Sequence, residues 1–565
     1  MKRYFYIVTL SLLVLFVLLN VFIPNNLVLQ ILGALDLVTI SVFAIAKEKS
    51  LYKILTIAIL ITVVLSYIVP GTTMNYGSVS KGTQMPIPFA DVFTNGITSL
   101  SAFLTTFIYV LVIGAFYAVL HKTGKYDTLV NNVAATFRNK GLCIVLVVLG
   151  LGLATMFTGE MFSMLIFVPF LISVVKRLGY SKETAIASTI GAILLGNAGS
   201  LFTYYSNQML SLTVKDNVMP KLTIALVGLV ALIAFILVFG ERPSSTKDLK
   251  KENNGSVLPL HIIMIGLFIL LVLGFVNWNG YFGFKGFDTF LENIRKSQIA
   301  KVSVFDALVG KSVVAFGSWQ PFNAAVLFTF VTVLIGLIYK VGINGFFESF
   351  AKGLKKAFPY AMIVILANIV LVNVYSSGIF YTMVVGLTKK SVSILTGTVT
   401  SILAAFFYPD YAYSTQFTVT ALTATKATDY QKLFAVLYQA VYNVFLLVSP
   451  TSILLLLGLK YTDTRFKDWM KYIWKFFLVL FVTILVVVSL GVKGFDAFGI
   501  VALVLLIVAI GIITYLRVSK AIPATPAKEE EVNKVEVKKV EEKPEKKEET
   551  KKTTTKKNNK KKSKK

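Results

Sequence analysis

Long runs of apolar residues recur along the chain, and their lengths predict membrane-spanning helices. A hydrocarbon core about 30 Å thick requires about 20 residues of helix. Runs near that length predict about twelve crossings, at 4–23, 28–46, 51–69, 101–120, 183–213, 219–240, 259–278, 323–340, 358–385, 432–457, 474–492 and 497–516. The pattern therefore indicates an all-α polytopic membrane protein.

Two further apolar stretches, 142–175 and 389–427, are interrupted near their middle. We interpret each as a re-entrant helical hairpin that turns at "FTGE" or "YPDY" and leaves on the side where it entered. The alternative is a pair of short spans. The helix breakers and the acidic residue at each turn favour the hairpin.

Composition and charge support the membrane assignment. The sequence is 56% apolar and 15% charged, whereas soluble domains are typically about 25% charged. With a cytoplasmic N-terminus, the inner loops 47–50, 121–141, 176–182, 241–258, 341–357 and 458–473 carry most loop lysines and arginines. The outer loop 70–100 holds only Lys81. This positive-inside bias predicts a cell-membrane protein with both termini cytoplasmic, although the long outer segment 279–322 is also basic.

Weak internal repeats indicate an inverted architecture. "FADVFTNGITSL" (89–100) aligns with "FFESFAKGLKKA" (346–357), and "TGKYDT" (123–128) aligns with "SGIFYT" (377–382). A hairpin and an interrupted helix then follow in each half. The first copy starts outside and the second inside, which is the arrangement of secondary transporters with a site near the midplane.

Helix breakers interrupt two predicted crossings in similar sequences. These are "AILLGNAGSLF" (192–202) and "VFLLVSPTSIL" (444–454), each with a Leu-Leu lead-in and a Ser six positions after the first Leu. Lipid cannot satisfy the backbone groups that a break exposes, so they must face protein or a wet cavity. Half-helix N-termini favour anions and C-termini favour cations.

The breaks and the two hairpin tips supply the candidate substrate- and ion-binding residues. From the breaks these are Asn197, Gly199, Ser200, Ser449, Pro450, Thr451 and Ser452; from the tips they are Thr158, Gly159, Glu160, Asp410, Ser414 and Thr415. The alternatives are close helix packing by small residues, a water-exposed loop at Glu160 and an ordinary turn at Asp410. Asn368, Asn373 and Asn443 also lie in apolar runs, where hydrogen bonding across helices would explain them.

The segments 157–200 and 446–476 resemble the ion-transporter superfamily. The similarity is to its YfcC-like branch, which is allied with anaerobic four-carbon dicarboxylate carriers and arginine/ornithine antiporters, and it covers about residues 85–495. The resemblance implies a homodimer with a scaffold, a moving transport domain and elevator-type transport. It also implies coupling to Na⁺ or H⁺, or exchange, and no other cofactor.

The resemblance places Glu160 at an acidic hairpin tip, with Asn197, Ser200, Ser449, Thr451 and Ser452 at polar positions of the family. The second hairpin departs from the family, since relatives have a Pro followed by several Ser where this chain has "YPDYAYSTQF". Both tips carry an acid, and no Lys or Arg is adjacent in sequence. We therefore expect an amino acid as substrate, with basic amino acids included; the alternative is a dicarboxylate.

Other function classes fit the sequence less well. An intramembrane enzyme would need a nucleophile, base or metal cluster, and the chain has two His and one Cys, Cys143. A membrane anchor for the tail would not need an inverted repeat. We therefore expect a transporter of a small solute and not an enzyme.

The expected domain organisation follows these features. It comprises N-terminal scaffold spans (1–75), a first repeat (76–258), connecting spans (259–342), a second repeat (343–495), a last span (496–516) and a tail (517–565). The tail is rich in Lys and Glu and is expected to be disordered. A solvated cytoplasmic extension is the preferred interpretation, with contact to anionic membrane lipid or to RNA or the ribosome as the alternatives.

Overall fold

The computed structural model describes residues 2–23, 26–75, 78–84, 86–137, 139–201, 210–239, 250–252, 256–299, 302–388, 392–423, 431–490 and 501. The predicted span 497–516 and the tail 517–565 lie essentially outside the described residues. Within them the protein is helical, and nine helices are long and apolar enough to cross a membrane. The all-α polytopic prediction is confirmed, with strands only in two short hairpins outside the helices.

The first part of the chain forms three helices and a small strand pair. These are α1 (Lys2–Phe22), α2 (Leu27–Lys47), α3 (Leu51–Ile68), β1 (Gly71–Asn75) and β2 (Ser78–Gln84). The strands are antiparallel, with Gly71 opposite Gln84. One face of α3 is buried, from Leu51 to Ile68, so this helix belongs to the protein core.

The next elements contain the first predicted hairpin and the first break. They are α4 (Asp91–Ala102), α5 (Leu104–Lys122), α6 (Tyr126–Thr136), α7 (Lys140–Thr158), a 3₁₀ turn (Leu165–Phe167), α8 (Val168–Arg177), α9 (Lys182–Ile186), a π-turn (Ala187–Gly191) and α10 (Ala192–Ala198). The hydroxyl of Tyr126, on α6, donates to Ser173 Oγ of α8 at 3.0 Å. The C-terminal half of α8 therefore returns to the element that precedes α7, as both the hairpin and the pair of short spans predict.

The connecting region follows the first break. It holds a 3₁₀ turn (Val214–Asn217), α11 (Val218–Ala234), a π-turn (Phe235–Phe239), α12 (Leu258–Phe275), α13 (Trp278–Phe282), α14 (Gly286–Lys296), β3 (Gln298–Ile299), β4 (Val302–Ser303), α15 (Val304–Leu308) and α16 (Pro321–Ile338). The strands β3 and β4 pair antiparallel.

The last part repeats the order of the first. It consists of α17 (Ile343–Ser377), α18 (Ile379–Thr388), α19 (Ile394–Phe407), α20 (Tyr411–Thr423), α21 (Gln431–Phe445), α22 (Ile453–Thr462) and α23 (Phe466–Val488). Here α19 and α20 form the second hairpin, and 446–452 is the break between α21 and α22.

One predicted crossing, 358–385, has the wrong limits. Helix α17 already begins at Ile343, continues through Pro359 and ends at Ser377. The lysines before Pro359 read as a loop in the sequence, because a proline inside a helix removes a hydrogen bond and usually ends it. Packing against α5 holds this helix continuous. There Gly114 and Gly353 allow close contact, since a Cβ added at Gly114 would lie 2.2 Å from Ala357 Cβ.

The corresponding long elements of the two halves run antiparallel. Asn95 Nδ2, on α4, donates to Asn373 Oδ1 of α17 at 2.8 Å, and Ser99 Oγ donates to the Ile365 carbonyl at 2.9 Å. Along this line of contacts, the residue numbers rise in α4 and fall in α17. Both elements stop at a left-handed glycine, Gly124 with φ of 68° and Gly378 with φ of 65°. The antiparallel directions agree with two repeats of opposite orientation, and the predicted limits of the domains stay a prediction.

Ionic and hydrogen-bond contacts identify helix ends that lie on a common side. Asp216, before α11, forms an ion pair with Lys432 at the start of α21, with an N–O distance of 3.4 Å. At the other ends, Lys182 Nζ donates to the Asp463 carbonyl at 3.4 Å. The sequence prediction assigns the first pair to the outer side and the second to the inner side.

Candidate functional site

The tip of the first hairpin is a tight, hydrogen-bonded turn. Helix α7 ends at Gly159, whose φ of 66° is a conformation that a side chain disfavours. Thr158 Oγ1 lies 3.0 Å from Ser163 Oγ. Glu160 is partly exposed, and its Oε1 accepts a hydrogen bond from the Phe162 amide at 3.3 Å. The turn thus presents a carboxylate at the end of a buried helix.

The tip of the second hairpin is formed by Tyr408, Pro409 and Asp410. Tyr442 of α21 donates its hydroxyl to the Tyr408 carbonyl at 2.6 Å, which fixes the turn. Asp410 is partly exposed and accepts from the Tyr413 amide at 3.1 Å. The second tip therefore also presents a carboxylate, as the sequence predicts.

Two other predicted residues of this hairpin are engaged within the protein. Ser414 Oγ lies 2.5 Å from the Tyr438 hydroxyl on α21. Thr415 Oγ1 donates to the carbonyl of Tyr411, one turn earlier on its own helix, at 2.9 Å. Both side chains are buried. They hold α20 in place, and their hydroxyls already have partners.

The two tip carboxylates belong to different hairpins and lie in the same part of the molecule. Among the described residues neither carboxylate forms an ion pair. An added cation is a suitable partner for carboxylates at such a place.

The first break packs against the first hairpin. Ser200 Oγ donates to the Met156 carbonyl in the last turn of α7 at 3.0 Å, and the Leu201 amide donates to the same oxygen at 3.3 Å. Ser200 therefore satisfies a carbonyl that the end of α7 leaves open. Gly199 is pressed against α11, because an added Cβ would lie 2.2 Å from the Lys221 carbonyl.

The second break packs against the second hairpin by the same device. Ser449 Oγ donates to the Ala405 carbonyl at 3.2 Å, and Thr451 Oγ1 donates to the Phe406 carbonyl at 2.7 Å. Ser200 and Met156 are 44 residues apart, and so are Ser449 and Ala405. By contact, Ser200 corresponds to Ser449 and not to Ser452, so the Leu-Leu alignment is displaced by about one helical turn.

The two breaks are bonded to each other through buried amides. Asn197 Nδ2 donates to Asn443 Oδ1 at 2.9 Å. Gln439 Nε2 lies 2.9 Å from the Asn197 carbonyl and 2.8 Å from the Ser200 carbonyl, where it satisfies both. Asn443 thus bonds across helices. Asn373 does the same, while Asn368 bonds the Val364 carbonyl of its own helix.

Two buried polar atoms at the breaks have no hydrogen-bond partner. They are Asn197 Oδ1 and Ser452 Oγ, both on side chains with no exposed surface. Ser452 is the N-cap residue of α22, and no side chain caps that helix. The N-terminal end of a half-helix attracts anions. A buried hydroxyl and a free helix N-terminus together form a site suited to a carboxylate. Pro450, partly buried, forms the turn before it.

Sequence reasoning missed three residues of this region. Gln439 and Tyr438 lie in an apolar run on α21, and Gln439 is about one helical turn before Asn443. These polar side chains within an apolar run were the signal that the sequence offered. Lys221, which is 2% exposed, packs its carbonyl against Gly199. The sequence shows no cation next to either tip, and α11 packs its backbone at this lysine against Gly199, 22 residues earlier in the chain.

No resident metal site is evident in the described part of the chain. There, no group of three or more His, Cys, Asp or Glu side chains is arranged to hold a metal ion. The available ligands are neutral oxygens at the breaks and the two tip carboxylates.

Residues 4–493 match the DcuC family, described as C4-dicarboxylate anaerobic carriers. The chain belongs to this family. The resemblance seen in the sequence is thereby confirmed, and the protein is a multi-pass membrane transporter. DcuC membership favours the dicarboxylate alternative and gives no support to an amino acid substrate. No curated protein matches this DcuC family member.

Among solved structures, the chain is similar to the YdaH transporter of Alcanivorax borkumensis, reported to have an unusual topology. It is 12% identical, with 80% of this chain and 99% of that chain covered, at a TM-score of 0.39. At this distance the likeness carries no argument about substrate, and the DcuC match stands by itself.

Proposed function

We propose that this DcuC family member is a secondary active carrier of C4-dicarboxylates that works by elevator-type alternating access. The observation that carries the proposal is the free N-terminus of α22 with the unpartnered Ser452 hydroxyl beside it. A carboxylate would accept hydrogen bonds from Ser452 and from the first backbone amides of α22. It would also be favoured by the positive end of the helix dipole.

A dicarboxylate has a second negative group, and the buried Lys221 is the basic residue whose backbone packs against the first break. That break is bonded through Gln439 and Asn197 to the second. A charged Lys221 side chain would stabilise an anion more strongly in a low-dielectric site than in water. The family match supports the change from an amino acid to a dicarboxylate substrate.

The tip carboxylates are assigned to coupling. Glu160 and Asp410 are partly exposed, lie in the same part of the molecule and lack a cationic partner among the described residues. A Na⁺ ion or a proton bound there would neutralise negative charge at the tips. Cation binding would then favour closure of the two hairpins around the dianion. Exchange of one dicarboxylate for another is the alternative mode.

The proposal extends to assembly and location. The carrier is expected to act as a homodimer in the cell membrane, with both termini cytoplasmic and membrane lipid around its exposed apolar helices. The exposed leucines and isoleucines of α1 and α2 fit contact with lipid or with a second subunit. The Lys-rich tail would lie near the anionic inner leaflet. Transport requires no catalytic residue.

Uptake into proteoliposomes tests the function. Labelled succinate, fumarate, arginine and ornithine would be supplied with and without a Na⁺ gradient, a pH gradient or preloaded counter-solute. Saturable succinate or fumarate uptake is expected, and the required gradient identifies the coupling. Uptake of amino acids alone would overturn the dicarboxylate assignment. Cooperative unfolding would show that the reconstituted protein is folded. If such protein took up none of the four solutes, the transport function proposed for them would be contradicted.

A further inference from the structure

A crevice of about 530 Å³ separates two groups of helices on the predicted cytoplasmic side. One wall is formed by α5 and α17, and the other by α8 and α22. Its lining includes Val110, Leu165 and Leu457. None of the site residues described above is among the lining residues, so this is a separate feature of the molecule.

The walls and the mouth of the crevice differ in chemistry. Val110, Leu165 and Leu457 are buried and apolar. At the mouth stand three exposed lysines, Lys122 at the end of α5 and Lys352 and Lys356 on α17. The acid of the lining is Glu348, and within the described residues it makes no ion pair with the three lysines. The mouth therefore carries a net positive charge.

The inner end of the crevice lies at residues next to the first hairpin tip. Leu165 follows Glu160 by five residues. Val110 adjoins Tyr109, whose hydroxyl donates to the Phe162 carbonyl in that tip at 2.7 Å. Along α5, Val110 and Lys122 are twelve residues apart, or about 18 Å at 1.5 Å per residue. The crevice thus leads from the basic mouth towards the first hairpin tip and ends at Leu165, in the 3₁₀ turn that follows the tip.

We propose that this crevice is an electrostatic funnel through which a small dianion reaches and leaves the transport site on the cytoplasmic side. A cleft with charge of one sign and low-dielectric walls focuses the field and raises the local concentration of counter-ions. Lys122, Lys352 and Lys356 recruit the dicarboxylate, and the apolar walls limit screening along its path. The inference rests on the proposed dicarboxylate transport and adds the route and its sidedness.

An anionic lipid is the competing occupant, because basic pockets between membrane helices on the cytoplasmic side also bind lipid headgroups. The geometry favours a small dianion, since the crevice lies between the two helix groups and ends at Leu165, five residues after Glu160. An acyl chain there would block the path to the tip. The two occupants predict different responses to salt and to lipid composition.

The test uses the triple variant Lys122→Gln, Lys352→Gln, Lys356→Gln in oriented membrane vesicles. Lys355→Gln is the matched control, because Lys355 is exposed on the same helix but does not line the crevice. Labelled succinate transport is measured from the cytoplasmic face in inside-out vesicles and from the outer face in right-side-out vesicles. Each is measured at low and at high salt, and the unfolding temperature of each variant is recorded.

We expect the triple variant to raise the cytoplasmic-face KM by about tenfold at low salt. The outer-face KM and the maximal rate should stay within about twofold, and the difference should vanish near 1 M salt, where the Debye length is about 3 Å. The control should match the wild type. Unchanged cytoplasmic KM, or equal changes on both faces, would overturn the funnel.

Two further outcomes separate the funnel from its alternatives. If neutral-lipid vesicles lower the wild-type rate to that of the triple variant, and the variant is insensitive to lipid charge, the lysines hold a lipid headgroup and the funnel is wrong. If the wild type carries only solutes without net negative charge, both the proposed function and the funnel fail. Succinate transport with an unaltered cytoplasmic KM in the variant rejects the funnel alone.

Discussion

At the residue scale, the centre of the molecule is held by side chains that satisfy backbone groups opened by the breaks. Gln439, Ser200, Ser449 and Thr451 all donate to carbonyls at helix ends. Their types were visible in the sequence, but their partners were not, because each partner lies on another element. Hydroxyls expected to bind solute are therefore partly structural, whereas Ser452 Oγ and Asn197 Oδ1 are left open.

Gln439→Leu is expected to destabilise the protein. Leucine fills a similar volume but leaves the carbonyls of Asn197 and Ser200 without their donor, which costs about 1–3 kcal/mol for a buried group. Thermal unfolding in detergent should show a clear decrease in Tm. Gln431→Leu, at the exposed start of the same helix, is the control and should leave Tm nearly unchanged. Equal Tm values for both variants would contradict the bridging role.

Gly199→Ala tests the contact between the first break and α11. The added Cβ would meet the Lys221 carbonyl at 2.2 Å and the Ala225 amide nitrogen at 2.4 Å. Both are backbone atoms, so α11 must shift, at a cost of about 1–3 kcal/mol. We expect a lower Tm and slower transport. Gly150→Ala is the control, because nothing lies within 4 Å of its Cβ, and wild-type behaviour of Gly199→Ala would argue against the packing.

Glu160→Gln tests coupling at the first tip. The amide oxygen of Gln can still accept from the Phe162 amide, so the turn should fold, but the charge that would hold a cation or proton is lost. Gradient-driven transport should fall at least about tenfold, a loss of about 1.4 kcal/mol or more, with little change in Tm. The exposed Glu292→Gln on α14 is the control. Wild-type uptake by Glu160→Gln would remove this residue from the coupling mechanism.

At the element scale, the first arm of each hairpin packs against the broken helix that follows that hairpin. Helices α7 and α10 run parallel, with Gly152 against Gly196 and Met156 against Ser200. The sequence predicted the hairpins and breaks from Gly, Pro and polar residues inside apolar runs. It did not predict their register, because a Leu-Leu motif does not specify which hydroxyl reaches the neighbouring helix end. It also missed the start of α17, where helix contacts outweigh Pro359.

Matched substitutions at the two breaks test the equivalence of the two halves. Ser200→Ala and Ser449→Ala each remove a hydrogen bond to a hairpin arm, which should cost about 0.5–1.5 kcal/mol. Ser449→Ala also removes the contacts of Ser449 Oγ with Thr451, so its loss should be at least as large. The double variant should lose about the sum, because the two bonds share no partner. Unfolding free energies in denaturant provide the comparison. Thr483→Ala, which removes a bond within α23, controls for the loss of a hydroxyl. A loss at one break only would contradict the equivalence.

At the scale of the whole molecule, antiparallel halves bring together residues that are distant in sequence. The inverted orientation of the two repeats was predicted from the order of their elements and from the charges of the loops. Both features are retained where sequence identity between the repeats has been lost. Lys221 at the first break and the basic mouth built by α5 and α17 were not predicted, since each depends on which elements pack together. The substrate inference changed because residues 4–493 match the C4-dicarboxylate carrier family, whereas the local sequence showed only the acidic tips.

The sidedness of the helix ends follows from their contacts and can be tested by labelling. Lys432 pairs with Asp216 at one end of the helices. Lys467 lies in the first turn of α23. That turn is close to the opposite end, where Lys182 contacts Asp463. Both lysines are exposed. Each is replaced by Cys in a Cys143→Ala background, because Cys143 is the one cysteine of the sequence. Losing one exposed ion pair costs about 0–1 kcal/mol, so the Lys432→Cys variant should fold.

A membrane-impermeant maleimide should label Lys432→Cys in intact cells and should label Lys467→Cys only after permeabilisation. That result follows if the loops with most of the lysines and arginines face the cytoplasm. The Cys143→Ala parent measures background labelling. The reverse pattern would invert the carrier in the membrane and move the basic crevice to the outer face. Labelling of both positions in intact cells would contradict the placement of these helix ends on opposite sides.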